Sequence, residues 1–256
     1  IHSGIYYPPG SYKAKLTKKG NEELVKFCQQ YDIEYDVCGK LIVACQEKEL
    51  PLLENLYQRG LENGIPVEKI SSEEAKEIEP HLICIEAIKV FSSGIVDYGK
   101  VAQKYAELFK ENGGEICLNT KVFGIKSNQI TEQIILTTQG EFKTKFIINC
   151  GGLYSDKIAK MEGVTPEMKI IPFRGEYYEL KPEKRYLVKH LIYPVPTPDF
   201  PFLGVHFTRL IDGNIHAGPN AVLSLKREGY KKTDFNWGEF METVTYEGLW
   251  KLISKY

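Results

Sequence analysis

Three kinds of residue in this 256-residue chain suit chemistry: a glycine pair after an apolar run, five histidines, and an arginine set between a proline and a glycine. The run FIINCGGLYSDKIAK, Phe146 to Lys160, reads as a buried strand, a turn at Gly151 and Gly152, and a helix that Ser155 and Asp156 can cap. Glycines there let the backbone approach a ligand with no side chain in the way. The helix start behind them offers free N–H groups to an anion or to the polar edge of a ring. An ordinary strand-to-helix turn needs the same two glycines, and by motif alone that reading is at least as good. No GxGxxG occurs in the chain.

Each histidine, taken alone, has a structural or surface role as its better reading. His206 in FLGVHFT stands out. Strand alternation puts Val205 and Phe207 on one face and Gly204, His206 and Thr208 on the other, where little bulk surrounds the imidazole. That suits a cavity wall, and histidine titrates near neutrality, as a general base should. His216 in NIHAGP lies across the turn RLIDGN, on the next strand. His2 sits in a glycine-containing loop beside Tyr6 and Tyr7, while His81 and His190 follow Pro80 and Lys189. No histidine pair has ligand spacing, so no metal is expected. Arg174 in PFRGEYYEL is either a fork for a carboxylate or a donor to loop carbonyls. Arg209, Lys189, Lys226 and Arg227 are further cationic candidates. Tyr6, Tyr7, Tyr177, Tyr178 and Tyr193 can line a pocket or simply pack a sheet.

The elements that must position these groups follow from pattern. A helix is expected from Ser11 to about Gln30, a short buried strand from Lys40 to Cys45, and a helix in KELPLLENLYQRGLENG with Pro51 at its start and Gly64 as its stop. Ser71 or Ser72 caps another helix that ends at Pro80, and Asp97 caps one from Tyr98 to Asn112. The stretch QIILTTQGEFKTKFIINC reads as a hairpin turning at Gln139-Gly140. Asp97 to Lys160 is thus an α/β layer unit. After Gly163 the chain turns to strands divided by Pro and Gly, an antiparallel sheet with a tight turn at IDGN.

Composition bounds the class. With 43% apolar and 26% charged residues and a net charge of −1, the chain is that of a soluble globular protein. A dedicated nucleic-acid binder would need a basic surface, so nucleic acid is not expected as a partner. No run approaches a membrane span or a signal peptide. The six cysteines are scattered without CxxC pairs and read as reduced, mostly buried thiols in a reducing compartment. The chain starts at Ile1 and ends in GLWKLISKY without a stop signal, so a fragment is expected.

As an ordered set, HSGIYYPPGS, CGKLIVA, SGIVDY, INCGGLYSDKIA, PFRGEYYELKPEK, YPVPTPDFPFLGVHFT and DGNIHAGPNAVLSLKREGY resemble the FAD-dependent L-2-hydroxyglutarate dehydrogenase/oxidase family. That family is one of the D-amino-acid-oxidase-like flavoproteins. The likeness covers nearly the whole chain and corresponds to the middle portion of those proteins. It implies a mixed α/β (α+β) fold, a partial Rossmann-like FAD layer interleaved with an antiparallel-sheet substrate domain. Residues 1–34 and 97–165 would belong to the FAD layer, and 35–96 and 166–256 to the substrate domain. FAD would meet His2, Ser3 and Gly4 at its ring, Val122 beside the adenine, and the backbone at Gly151 and Gly152. The GxGxxG unit and a last flavin-binding segment would lie outside the chain.

The implied reaction is oxidation of L-2-hydroxyglutarate, a 2-hydroxy dicarboxylate, to 2-oxoglutarate by hydride transfer to flavin N5. His206 is the first choice of base and His2 the second, with Arg174 for a carboxylate. Oxygen or a quinone pool would take the electrons. The implied location is cytoplasmic, with room for peripheral contact at the inner membrane, and mitochondrial in a eukaryote. Two other readings remain: a related flavin oxidoreductase acting on an amino acid, sarcosine or glycerol 3-phosphate, and a truncated remnant without catalysis.

Overall fold

The computed structural model describes residues 1–129, 132–197 and 204–255. The last part of the PTPDFPFL stretch therefore lies outside the described residues. Local signals set most element starts. Ser11 Oγ accepts from Ala14 N at 3.2 Å and opens α1, Tyr12–Gln30. After the short β1, Tyr35–Asp36, comes β2, Lys40–Ala44, buried at every position and so a central strand. Helix α2, Leu50–Glu62, carries Pro51 in its first turn and is followed by Gly64 at φ 62°. Strand β3, Val67–Ser71, runs into α3, Ser72–Ile78, through a capping box. Ser71 Oγ accepts from Glu74 N at 3.2 Å, and Glu74 Oε2 accepts from Ser71 N at 2.7 Å.

Strands β4, Glu86–Val90, and β5, Ile95–Val96, precede α4, Tyr98–Glu111, which Asp97 caps through Gly99 N and Lys100 N. A three-stranded antiparallel sheet follows: β6, Val122–Gln129, β7, Glu132–Thr137, and β8, Gly140–Thr144, with the expected turn between Thr137 and Gly140. Helix α5 is Ser155–Met161. Then come β9, Phe173–Glu179, β10, Leu191–Pro194, β11, His206–Arg209, and β12, Ile215–Leu223, the last two joined by the IDGN turn with Gly213 at φ 82°. Two helices close the chain, α6, Trp237–Val244, and α7, Glu247–Lys255.

The large sheet has the order β3-β4-β2-β10-β11-β12-β9. Its second half contains the antiparallel pairs expected, β10 with β11 and β11 with β12. The sheet is mixed, however, because β10 lies parallel to β2. Strands from 35–96 and from 166–256 thus share one sheet. Alternation sorts its residues onto two faces. Ile42, Ala44, Ile88, Val90, Leu191 and Tyr193 pack with Leu53 and Leu56 of α2, while Leu41, Val43, Ala87, Ile192 and Ile215 pack with Ala75 of α3.

By compactness the chain forms two units, Ile1–Asn112 with Gly175–Ala221, and Gly113–Arg174 with the chain from Val222 on. These bounds differ from the expected layers, since α1 and α4 cluster with the large sheet.

Two expectations are corrected. The run Phe146 to Cys150 is not a buried strand: Phe146 is 86% and Ile148 87% exposed, and no ladder is assigned there. A strand exists only through a neighbour's backbone, and none of the described strands pairs with this one. The cysteines are all free, but Cys45, Cys117 and Cys150 are exposed, so the thiols are not mostly buried. Among the described residues no helix is long and apolar enough to cross a membrane, and no cluster of metal-ligating side chains occurs.

Candidate active site

One face of the large sheet carries a row of polar side chains. Lys40 pairs in register with Leu191 across β2 and β10, Ile192 with Phe207 across β10 and β11, and Thr208 with His216 across β11 and β12. Pairing and alternation therefore place Lys40, Tyr193, His206, Thr208 and His216 on the same face, as the alternation around His206 predicts. The opposite face of β11 sends Phe207 into the apolar layer over α3.

His206 is 5% exposed, and its ring stacks on Tyr193 with centroids 4.1 Å apart. Tyr177 meets the same imidazole edge-on at 6.4 Å. His206 Nδ1 lies 2.9 Å from the Gly204 carbonyl, which can only accept. Nδ1 must then carry the proton, and Nε2 of the neutral ring presents its lone pair. Burial pushes the His206 pKa below the usual value, and the Lys40 charge acts in the same direction against the Gly204 bond.

Lys40 is the residue that sequence reasoning passed over, inside a run read only as a buried strand. It is 4% exposed. Its ammonium donates to Tyr6 Oη at 3.3 Å and lies 4.5 Å from the Tyr6 ring centre and 4.9 Å from that of Tyr193. Burial pulls its pKa from 10.5 down to about 7. The usable signal was a lysine opening a strand otherwise made of Leu, Ile, Val and Ala.

His2, Lys40, Ser93, Tyr193, Thr208 and Arg209 line one cavity of about 220 Å³. The His2 loop is tied down by Asn21, whose Nδ2 donates to the carbonyls of His2 at 2.9 Å and Ser92 at 2.7 Å. Desolvation lowers the His2 pKa, and the neighbouring charges of the Ile1 amino group, Lys40 and His206 add to it. Ser3 Oγ and Ser93 Oγ are buried without a hydrogen-bond partner among the described residues. Gly4 is at φ 89°, a conformation that favours glycine. Arg209 is engaged by Asp36. His216 Nε2 lies 3.9 Å from Glu179, and His190 is bound to the buried Glu79 through Nδ1 at 2.8 Å.

The remaining candidates lie in the second unit. Gly151 and Gly152 form the turn into α5; Gly152 is at φ 51° with open space where a Cβ would stand. A Cβ on Gly151 would meet the side-chain tip of Ile158, Cδ1, at 2.5 Å, so a larger residue here would have to turn that side chain aside. The turn is held from below by a buried bidentate pair: Arg227 Nη1 to Asp156 Oδ1 at 2.6 Å, and Nη2 to Oδ2 at 2.7 Å. Arg227 also donates to the Leu153 carbonyl. Val122 starts β6 opposite Thr137 and is half-buried. Arg174 donates to the carbonyls of Gly229 at 3.3 Å and Lys231 at 3.2 Å, the loop-bonding alternative of the two weighed for it.

Residues 1–254 match the model of the FAD dependent oxidoreductase family. The L-2-hydroxyglutarate dehydrogenase of Indibacter alkaliphilus is 52% identical over 258 residues, covering all of this chain and 64% of that protein. The human mitochondrial L-2-hydroxyglutarate dehydrogenase is 47% identical over 267 residues, again across the whole chain and 58% of the relative. The chain therefore spans about three fifths of the length of these relatives. Among solved structures, the dithionite-reduced L-alpha-glycerophosphate oxidase of Mycoplasma pneumoniae with FAD bound superimposes with a TM-score of 0.80 at 26% identity, over 91% of this chain and 63% of that one.

Proposed function

The chain belongs to the FAD dependent oxidoreductase family, and from that premise we propose that it supplies the substrate-side chemistry for oxidation of L-2-hydroxyglutarate to 2-oxoglutarate. The observation that carries this reading is His206, neutral, stacked on Tyr193 and fixed in one tautomer by the Gly204 carbonyl. Its free Nε2 accepts the hydroxyl proton of a 2-hydroxy acid, and Tyr193 holds the ring plane while it does so. His2, which lines a cavity with Tyr193 and whose pKa the His206 charge also lowers, is the alternative base.

FAD, when bound, supplies the hydride acceptor for the substrate carbon. The residues fit such a group. In the first unit, the unpaired buried hydroxyls of Ser3 and Ser93 offer donors to a polar ring edge, beside His2 and Gly4. In the second, Gly152 leaves its backbone open to a close approach, and Gly151 and Val122 stand with it in the cofactor assignment. Residues 1–34 and 97–165 are assigned to the cofactor layer and 35–96 and 166–256 to the substrate layer. Arg174, proposed for a substrate carboxylate, already donates to the carbonyls of Gly229 and Lys231. Oxygen or a quinone pool is the proposed electron acceptor. A peripheral contact at the inner membrane, mitochondrial in a eukaryote, belongs to the same proposal.

The test is the visible spectrum of the protein after loading with FAD and removal of unbound flavin. A retained flavin band that bleaches with L-2-hydroxyglutarate, and not with its D enantiomer, is expected. Bleaching instead by glycerol 3-phosphate, sarcosine or another amino acid would move the substrate to that class. No bleaching by any of them would leave a non-catalytic chain.

A further inference from the structure

Lys40 carries a charge that the proposed proton transfer does not use. Lysine is almost never buried without a partner, because the ammonium loses its hydration. Here Tyr6 Oη takes one of three N–H donors, and two aromatic faces offer partial compensation. Among the described residues no carboxylate lies within ion-pair distance of it. The carboxylate of Asp36, nearest along the chain, is bound to Arg209. The other charged and titratable groups around Lys40 include the Ile1 amino group, His2 and Tyr6 from the first loop, Tyr193 of β10, His206 of β11, and Arg209 on the same cavity, itself bound to Asp36. None of them is an anion near neutral pH: burial raises the pKa of both tyrosines. The cavity thus has a cation built into its wall and no internal counter-ion.

We propose that Lys40 is a substrate-binding residue that anchors a carboxylate of the 2-hydroxy dicarboxylate, an assignment that rests on the oxidation proposed above. The carboxylate would take the donors that Tyr6 leaves free, in a cavity also lined by His2 and within one sheet face of His206. A carboxylate close by favours the charged ammonium. Binding should therefore draw a proton onto Lys40 at pH values where the empty site has released it.

The test is calorimetric titration of the FAD-loaded protein with glutarate, a dicarboxylate without the reacting hydroxyl. It is run in buffers of different ionisation enthalpy. Uptake approaching one proton per glutarate is expected at about pH 8.5, and little at about pH 6. K40M should weaken glutarate on the order of 100-fold and abolish the uptake. K40R should bind within about tenfold of the wild type without uptake, since arginine stays charged, and it serves as the second variant if K40M does not fold. H206N should keep the uptake. Undetectable glutarate binding by the wild type, K40M affinity equal to the wild type, or uptake that survives in K40M would each overturn the proposal. Flavin bleaching by L-2-hydroxyglutarate separates the two readings. Bleaching with Lys40-independent glutarate binding removes the anchor and keeps the oxidation; Lys40-dependent uptake without bleaching removes the oxidation and keeps a carboxylate site.

Discussion

At the scale of single residues, His206 and Lys40 make opposite demands on the fold. The lowered His206 pKa means that the folded state resists protonation, so this residue costs stability as the pH falls below the ordinary value of 6.5 and costs none above it. H206N removes the acceptor while keeping a polar side chain of similar shape. The rate of flavin reduction by L-2-hydroxyglutarate should fall about 10²- to 10⁴-fold, measured by stopped-flow absorbance, with the FAD-loaded spectrum unchanged. Lys40 works the other way along the pH axis. Its folded pKa of about 7 lies below the ordinary 10.5, so the unfolded chain binds the extra proton between them. The penalty is complete below about pH 7 and shrinks as the pH rises toward 10.5. K40M, which fills the site with an uncharged side chain of similar length, should raise the melting temperature by several degrees at about pH 6, a gain on the order of a few kcal/mol. The gain should narrow toward about pH 10. A K40M protein less stable at every pH would assign Lys40 to structure through its two aromatic neighbours.

At the scale of elements, what could be read in the sequence was whatever is settled locally. Ser71 and Asp97 cap α3 and α4 as expected, and the helix expected to begin at Ser11 starts just after it with Ser11 as its cap, because a cap needs only its own next three residues. The alternation around His206 likewise needed only β11 and its neighbours. The join between β2 and β10 was not legible, since a parallel pair so distant in sequence leaves no local trace. Phe146 to Cys150 was misread for a related reason: its apolar residues fit a strand, but a strand needs a ladder outside itself. Lys40 was missed because one lysine at a strand end usually reaches solvent, and only the packing of Tyr6 and Tyr193 buries it. The Arg227–Asp156 pair was also invisible, joining residues 71 positions apart. It makes a sharp prediction for the Gly151–Gly152 turn. Removing one partner leaves the other charge buried, so R227M should cost about 3–5 kcal/mol. D156N should cost less, because an amide still accepts one of the two bonds. The Asp156 pKa is lowered chiefly by its hydrogen bonds to Arg227, so this stability is present above the ordinary 3.8 and is lost as the pH falls through the lowered value. Chemical denaturation of both variants at about pH 7 and about pH 3 checks the size and the sign.

At the scale of the whole molecule, net charge explains little. The chain is nearly neutral, at −1, so no global field should set how its chemistry depends on pH. The dependence must come from the few groups on one face of the large sheet, and their directions combine into a definite shape. Proton acceptance requires His206 neutral, which places the rising limb of substrate capture below 6.5. Carboxylate anchoring requires Lys40 charged, which places the falling limb near 7. The substrate's own carboxylates are ionised across this range. The low-substrate rate constant for flavin bleaching should therefore follow a narrow bell with its maximum below pH 7. Because the two groups sit within mutual electrostatic reach, its limbs report the pair and not isolated residues. Saturating substrate changes the second limb alone. A bound carboxylate stabilises the ammonium, so the falling limb of the limiting rate should move to alkaline pH while the rising limb stays in place. K40R makes the contrast sharper, since its charge persists across the range: the low-substrate bell should open into a plateau above the rising limb. Stopped-flow bleaching of the FAD-loaded protein and of K40R, from about pH 5.5 to about pH 9.5, gives both profiles. A falling limb that stays near 7 in K40R would belong to another group, and Lys40 would then be neither the anchor nor the source of the pH response.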